Sequence, residues 1–299
     1  MTTDTRTLPA RSSAPTAAAP RRPRKSAGER IGPVAVRLLL WGYAVVALAP
    51  LIIMVMNSFR PSQALFTDPL GLPMSPTFEN YIQAWSEASF STYFMNSAIV
   101  TVSAVALGTA VAAMAAYPLG RYAFRGNNIV MAYFLAGLML PIRFNVVPIF
   151  YVLASMGMID SRLGLILVYA ASGIPFSVFI LSTFFRQLPA DMEEAARIDG
   201  SGEFRIFGRI MLPLVRPALA TVALFQFVQL WNDLLFPLVL LRSTSKYTLP
   251  VGLTSFFGQY STDYSLLFAG LVITTIPLVV VFLFATRQII SGLTAGMGK

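Results

Sequence analysis

The sequence predicts an all-α integral membrane protein with six transmembrane helices. Three observations lead to this fold class. Of the 299 residues, 56% are hydrophobic and only 12% are charged, which is about half the charged fraction of soluble domains. Six apolar stretches reach the roughly 20 residues that a helix needs to cross the hydrocarbon core. Basic residues collect in alternate connections between these stretches, which is the pattern of cytoplasmic loops.

The first 30 residues form a polar segment ahead of the apolar ones. They are rich in Thr, Ala, Pro and Arg, and they lack the apolar core of a secretory signal peptide. Such a composition cannot bury enough apolar surface to fold. We therefore expect residues 1–30 to be a disordered basic tail and residues 31–299 to form the membrane domain.

Six predicted spans make up this domain, each long enough to cross a bilayer as a helix. The second is rich in small residues, among them Ala104, Gly108 and Ala112, which let helix backbones approach closely in lipid. The predicted spans cover residues 36–56, 94–117, 129–153, 163–185, 217–241 and 266–286.

The distribution of Arg and Lys sets the predicted orientation. Basic residues precede span one, separate spans two and three and spans four and five, and follow span six. The opposite connections hold only Arg60, Arg162, Arg242 and Lys246. Because positively charged loops remain in the cytoplasm, both termini are predicted to be cytoplasmic. Since the basic residues lie at span ends, the formal net charge of +9 does not indicate nucleic-acid binding.

The residue types that the chain lacks exclude several kinds of chemistry. It has no Cys and no His, which removes thiol nucleophiles, disulfides, thiolate metal sites and His-based acid–base catalysis. It also has no G-x-x-x-x-G-K-[ST] loop to cradle phosphates. We therefore expect no catalytic site, no metal site and no cofactor on this chain.

The connection between spans four and five, residues 188–217, is too charged to lie in lipid. Pro189 suits a first helical turn, and the acidic residues that follow favour the positive end of a helix dipole. Gly200 suits the left-handed conformation that ends a helix. A second short helix is predicted from Glu203 to Leu212, with Pro213 interrupting it. The connection is thus predicted to be two short helices joined by a Gly-containing elbow, lying at the cytoplasmic surface.

Seven residues of this connection stand in a fixed register. A Glu-Ala-Ala triplet is followed after three residues by Gly, and after nine more by Ile-x-Leu-Pro. The positions are Glu194, Ala195, Ala196, Gly200, Ile210, Leu212 and Pro213. The pattern resembles the EAA loop in permease subunits of binding-protein-dependent ABC importers.

This resemblance implies a function and a set of partners. Residues 194–200, with Asp199, would form a coupling helix that inserts into a cleft on a separate ATP-binding subunit. The ATPase dimer would bind ATP and Mg, and a second permease subunit and an extracytoplasmic solute-binding protein would complete the complex. The implied location is the cytoplasmic membrane of a bacterium.

Three further stretches resemble the carbohydrate-uptake branch of this family, specifically the maltose-type second permease. They are residues 231–233, residues 249–253 and the tail residues 292–296. In that branch the tail reaches the ATPase interface; here Met297 and Gly298 replace the usual Ala-Val pair. The implied function is half of a sugar translocation pathway that is driven by the separate ATPase.

Polar side chains inside apolar spans need a reason, because an Asp in the middle of a span costs roughly 2.5–3.5 kcal/mol on insertion scales. Trp231, Asn232 and Asp233 in span five, and Asn145 towards the outer end of span three, are predicted to line the substrate pathway. Aromatic faces suit the C–H surfaces of sugars, and amides and carboxylates suit their hydroxyl groups. The alternative is that these groups hold the helices together by hydrogen bonds.

Three other functions stay open. An importer of this family could carry another solute, such as a polyamine or a peptide. An ion-coupled secondary transporter would need intramembrane ionisable residues, for which only Asp233 and Arg143 are strong candidates. An integral membrane enzyme is disfavoured because the spans hold no His, no Cys and no paired carboxylates.

Overall fold

The structure, a computed structural model, describes residues 27–256 and 263–297, without the side chains of residues 27–35, 87 and 285–297. Every regular element in this part is helical. The α-helices are α1 (Ala27–Ser58), α2 (Ser62–Thr67), α3 (Glu79–Ile82), α4 (Phe90–Arg121), α5 (Asn127–Met139), α6 (Val146–Ser155), α7 (Arg162–Gln187), α8 (Asp191–Ile198), α9 (Glu203–Ile206), α10 (Leu212–Leu214), α11 (Arg216–Trp231), α12 (Leu235–Leu240), α13 (Leu249–Thr254) and α14 (Tyr264–Met297).

The chain divides after Leu51 into two units. The first unit contains α1 up to Leu51, and its large apolar side chains are exposed in the isolated chain, with Trp41 70% exposed. The predicted tail falls mostly on residues 1–26, which lie outside the described residues, whereas residues 27–30 belong to the first turn of α1. The second unit, residues 52–299, contains the remaining helices.

Four of the six predicted spans are single helices in the part of the chain that the structure describes. The stretches that are long and apolar enough to cross a membrane are Val36–Ser58, Phe90–Arg121, Arg162–Gln187 and Tyr264–Phe284. They correspond to predicted spans one, two, four and six. Two further spans result if each of two bent helix pairs counts as one.

The third predicted span, residues 129–153, is not one continuous helix. α5 ends at Met139, a short 3-10 turn covers Ile142–Asn145, and α6 continues at an angle of 84° to α5. The break lies at Pro141, which has no N–H and disfavours helical geometry at the residue before it. Leu140 accordingly has extended dihedral angles. Hydropathy alone could not show this bend.

The fifth predicted span, residues 217–241, is also interrupted. α11 ends at Trp231, and α12 begins at Leu235. Pro237 has no N–H to donate to the carbonyl of Asp233, so a helix could not continue through this point with its full set of bonds. A second bend, of 75°, separates α11 from the short helical segment Glu203–Leu214 that precedes it.

α4 and α7 form the most closely packed helix pair of the second unit. A β-carbon at Gly108 would stand 2.9 Å from the carbonyl oxygen of Ala170, and one at Gly120 would stand 2.7 Å from that of Ser182. Because both contacts have the same sequence offset, the two helices run parallel and in register. The neighbouring Ala104 and Ala112 are fully buried, so the predicted role of small residues in close packing holds for this pair.

At the amino end of α7, the carboxylate of Asp160 joins two connections: the one between α6 and α7, and the one between α12 and α13. Asp160, at a φ of 55°, accepts hydrogen bonds from the backbone N–H groups of Arg242 at 2.9 Å and Ser243 at 3.0 Å. Its other oxygen accepts from the Ser243 hydroxyl at 2.6 Å and from Lys246 Nζ at 3.0 Å. Hydrogen bonds from Ser243, Arg242 and Lys246 hold the pKa of Asp160 well below its usual range. We refer to this arrangement as the Asp160 clasp.

Candidate functional site

The connection between α7 and α11 contains the short helix α8, which ends at the predicted glycine. Gly200 has a φ of +76°, and its N–H donates to the carbonyl of Arg197 at 3.0 Å. The N–H of Ser201 donates to the carbonyl of Ala196 at 2.9 Å. These two bonds form a Schellman motif, which satisfies the last carbonyls of a helix. α8 therefore has a fixed carboxyl end.

The amino end of α8 differs from the prediction. The helix begins at Asp191, so Pro189 lies ahead of it and not in its first turn. Acidic side chains do occupy that first turn, with Asp191, Glu193 and Glu194 near the positive end of the helix dipole.

α8 has one buried and one exposed face. Ala196 is 7% exposed and packs into an apolar cluster with Phe185 of α7 and Ile206 of α9. On the other face Ile198 is 86% exposed, and the side chains of Glu194, Ala195 and Asp199 are also exposed. The motif residues of α8 therefore have two roles. Ala196 packs the helix against the bundle, while Glu194, Ala195 and Asp199 face outward.

The second short helical segment runs further than predicted. It comprises α9, a π-helical turn at Phe207–Met211 and α10, and it passes through Pro213 to end at Leu214. Pro213 lies in the first turn of α10, where its missing N–H is tolerated, so the prediction that it interrupts the helix is wrong. The bend falls instead at Val215, and Ile210 and Leu212 pack against the same apolar cluster as Ala196.

A surface network braces α8 against α9. Arg197 Nε donates to Glu203 Oε1 at 2.9 Å, and the Tyr122 hydroxyl donates to Glu203 Oε2 at 2.5 Å. The Arg197 guanidinium and the Tyr122 hydroxyl hold the pKa of Glu203 below its usual range, so this carboxylate is charged at neutral pH. Because the Arg197–Glu203 pair is solvent-exposed, it contributes little to stability.

A buried ion pair beneath α8 was not identified from the sequence. Arg121, at the end of α4, donates through Nε to Glu193 Oε1 at 2.9 Å, and both side chains are less than a tenth exposed. In the sequence, Arg121 counts only among the basic residues between spans two and three, and Glu193 only among the acidic residues that follow Pro189. The two residues are 72 positions apart, and no local pattern signals their pairing.

The structure separates the three neighbouring residues that were predicted to line a pathway. Trp231 is 2% exposed, and its indole N–H donates to the carbonyl of Thr274 in α14 at 3.0 Å. Asp233 accepts from the Tyr169 hydroxyl of α7 at 2.7 Å and from the N–H of Phe236 in α12 at 3.2 Å. Both residues therefore make the interhelical contacts of the packing alternative. Asn232 is exposed, and its amide donates to the carbonyl of Val228.

Asn145 lies at the break between α5 and α6, on the wall of a cavity of about 860 Å³. The wall is formed by the residues around this break and by parts of α6, α7 and α11. It is mainly apolar, with polar groups from Asn145, Ser172, Gln226 and Gln229. Gln226 donates to the Ser177 hydroxyl at 2.7 Å, while its Oε1 is buried without a hydrogen-bond partner. Non-helical backbone at membrane depth is tolerated where it lines such a cavity.

The fold and these sites define a helical membrane permease with a surface helix anchored between two of its spans. The chain belongs to the family of binding-protein-dependent transport system inner membrane components, whose sequence pattern matches residues 108–294. The resemblance inferred from the EAA loop is thereby confirmed. The chain is a permease component of the ABC-importer class and is located in the membrane.

Two relatives and one solved structure illustrate these similarities. The chain is 40% identical over 261 residues to the diacetylchitobiose uptake system permease protein NgcG of Streptomyces coelicolor, covering 87% of this chain and 86% of that protein. It is 36% identical to the arabinooligosaccharides transport system permease protein AraQ of Halalkalibacterium halodurans, covering 89% and 98%. Its fold matches a chain of a bacterial ABC transporter that imports alginate, with a TM-score of 0.80 at 24% identity, covering 90% of this chain and 100% of that chain.

Proposed function

We propose that this chain is the permease subunit of an ATP-driven sugar importer in a bacterial cytoplasmic membrane. It forms half of the translocation pathway with a second permease, receives substrate from an extracytoplasmic solute-binding protein and is driven by a separate ATPase dimer. ATP and Mg belong to that ATPase. The proposal rests on one observation: α8 packs against the helix bundle with one face and exposes the other.

The exposed face of α8 fits a partner surface. Ile198 of α8 and Phe204 of the adjoining α9 are 86% and 88% exposed in a connection that is too charged to enter lipid. Large apolar groups that are rimmed by charge typically mark protein contacts. Docking the exposed face of α8, together with the adjoining α9, into a cleft of the ATPase would cover them. The tail residues 292–296, a further expected contact, have side chains outside the described residues.

The orientation follows from the same loop. An ATPase docks from the cytoplasm, so residues 188–215 and both termini lie on that side, as the distribution of basic residues also predicts. The broken third span then has its Pro141 bend nearer the opposite side of the membrane.

The cavity beside the broken third span supports a sugar as substrate. Its volume of about 860 Å³ lies within the usual range for small-molecule pockets, roughly 300–1,000 Å³. The Phe176 and Phe225 rings, 4.6 Å apart, offer apolar surface for C–H groups, while Asn145 and Gln229 offer amides to hydroxyl groups. Asn232, which is exposed, remains part of the proposed pathway; Trp231 and Asp233 support it through helix packing.

A polyamine is the second candidate substrate, and the cavity argues against it. A polycation requires carboxylates or several carbonyl groups to replace its hydration. Among the described residues, the wall of the cavity contains amides and hydroxyls and no Asp or Glu.

Reconstitution of the complete complex tests the proposal. Proteoliposomes with this chain, its partner permease, the ATPase and the solute-binding protein should take up labelled diacetylchitobiose or arabinotriose when ATP is present, and should not take up putrescine. Uptake of putrescine alone would overturn the substrate class. Uptake without ATP or without the binding protein would overturn the importer assignment.

Gly200 provides the test of coupling. Gly200→Val places a β-branched residue at a positive φ, which costs about 1–2 kcal/mol, although the space around the glycine is open. We expect sugar uptake to fall by about tenfold, with the complex still assembled. Gly202→Val is the matched control, because Gly202 has a φ of −74° and equally open surroundings. Normal uptake by Gly200→Val would show that the coupling assignment is wrong.

A further inference from the structure

The carboxyl ends of α4 and α7 lie side by side and are joined by reciprocal hydrogen bonds. Arg121 of α4 donates to the carbonyl of Phe185 in α7 at 3.2 Å. Arg186 of α7 donates to the carbonyl of Leu119 in α4 at 3.3 Å. Each helix thus has one of its last carbonyls bonded by the arginine of the other.

This arrangement has an electrostatic reason. The carboxyl end of a helix carries a partial negative charge, and two parallel helices bring two such ends together. Guanidinium groups stabilise both ends, because they are cationic and donate to carbonyls of the last helical turn. The two arginines therefore allow α4 and α7 to end next to each other.

Arg121 also reaches beyond the two helices. It donates to the carbonyl of Leu188 at 2.7 Å and to that of Pro189 at 3.4 Å, and through Nε to the Glu193 carboxylate at 2.9 Å. A planar guanidinium with five donors suits this set of acceptors, and a lysine ammonium would not reach all of them at once. The Arg121 side chain thus connects α4 with the end of α7, with the short linker that contains Leu188 and Pro189, and with α8.

Because the Arg121–Glu193 pair is buried, each of its charges depends on the other. The side chains of Arg121 and Glu193 are 8% and 6% exposed, so removing one leaves the other charge desolvated without its partner. The other cation near Glu193 is Arg197 at 3.8 Å, which is far more exposed.

The covalent route from α8 to the next span is less direct. It passes through Gly200, then through the second helical segment, and reaches α11 only after the 75° bend at Val215. A displacement of α8 therefore reaches α4 and α7 through Arg121 without crossing a bend.

We propose that Arg121, paired with Glu193, is the positioning residue that makes α8 move as one body with α4 and α7. The inference rests on the proposed function, because it assumes that α8 receives the motion of an ATPase. Without the pair, α8 would still dock but would shift against the bundle, and ATP would be hydrolysed with less sugar moved.

The experiment measures sugar taken up per ATP hydrolysed by the reconstituted complex with labelled diacetylchitobiose. We expect Arg121→Gln and Glu193→Gln to lower this ratio on the order of tenfold, while ATP hydrolysis continues. Arg121→Lys keeps the positive charge but loses the planar guanidinium with its several donors, so it should give an intermediate ratio. Glu203→Gln is the matched control, because it makes the same chemical change in an exposed pair, and its ratio should stay within about twofold.

The readout separates positioning from simple stabilisation. A purely structural defect would lower the amount of complex and reduce uptake and hydrolysis together, which leaves their ratio unchanged; that result would overturn the inference. Glu193→Gln is isosteric and keeps an oxygen acceptor for Arg121, so it is the informative variant if Arg121→Gln does not accumulate. If Gly200→Val uncouples transport and the Glu193 variant does not, only this inference fails. If neither uncouples transport, the proposed function fails as well.

Discussion

α7 has two unlike sides. Towards α4, backbones approach so closely that a β-carbon at Gly108 would lie 2.9 Å from a carbonyl oxygen. Towards α5, the nearest equivalent contact joins Gly137 to the side chain of Pro175 at 3.3 Å, and the cavity opens beside it. α4 contains many buried residues, whereas α5 contains none in the isolated chain.

This difference between the two sides of α7 indicates that they have different roles within the second unit. The α4 side, with α11 and α14 beyond it, supplies a rigid framework of buried contacts. The α5 side supplies a broken span, a mainly apolar wall and a few amides. Substitutions on the first side should therefore change stability, and substitutions on the second should change transport.

Trp231 gives the largest expected effect on stability. Trp231→Ala removes a buried ring that contacts Phe94 and Phe227 and the hydrogen bond to Thr274, and should destabilise the protein by about 3–5 kcal/mol. Thermal unfolding of the purified complex in detergent measures this change. Asn232→Ala, at the exposed neighbour, should stay within about 0.5 kcal/mol. An unchanged melting temperature with altered uptake would instead assign Trp231 to the pathway.

Substitutions at two glycines, Gly108 and Gly137, allow the two sides of α7 to be compared directly. Gly108→Ala forces the backbones of α4 and α7 apart, because the new methyl group meets a carbonyl that cannot rotate away; we expect a loss of about 1–3 kcal/mol. Gly137→Ala meets only a proline side chain and should cost less than about 1 kcal/mol. Melting temperatures of the two variants check the ranking, and the reverse order would contradict the proposed difference in roles.

The cavity amides should affect transport more than stability. Asn145→Leu and Gln229→Leu each remove a group that could bond a substrate hydroxyl, which is worth about 1 kcal/mol, or about fivefold in apparent affinity. The half-saturation concentration for labelled sugar uptake measures this loss. Gln63→Leu, an exposed amide outside the cavity, is the control. Unchanged uptake by both cavity variants would remove this wall from the pathway.

The Asp160 clasp should give the smallest effect. Asp160→Asn keeps one oxygen for the N–H groups of Arg242 and Ser243 and is tolerated at a positive φ, so only a slight fall in melting temperature is expected. Because the folded-state pKa is depressed, the charge contributes above the unfolded value of about 3.9 and is lost only as the pH falls further. The difference between variant and parent should therefore be constant from pH 5 to 8. A difference that changed within this range would contradict the assigned hydrogen bonds.

Sequence reasoning predicted the features that depend on local pattern. Hydropathy located four continuous spans, and glycine chemistry located the end of α8 at Gly200. It missed the break at Pro141, because an apolar average is insensitive to a single missing N–H. It also missed the Arg121–Glu193 pair, whose members meet only after two spans have packed. For Trp231, composition could not decide between lining and packing, since that depends on which face of α11 meets α14.

The two glycine contacts between α4 and α7 have a mechanical consequence. Gly108 and Gly120 are separated by 12 positions, which is roughly 18 Å along a helix at 1.5 Å per residue. Close backbone contacts at two points that far apart restrict sliding and pivoting of one helix against the other. A displacement applied at the Arg121 end should therefore move α4 and α7 together, so that motion at the membrane surface is passed along both helices into the bilayer.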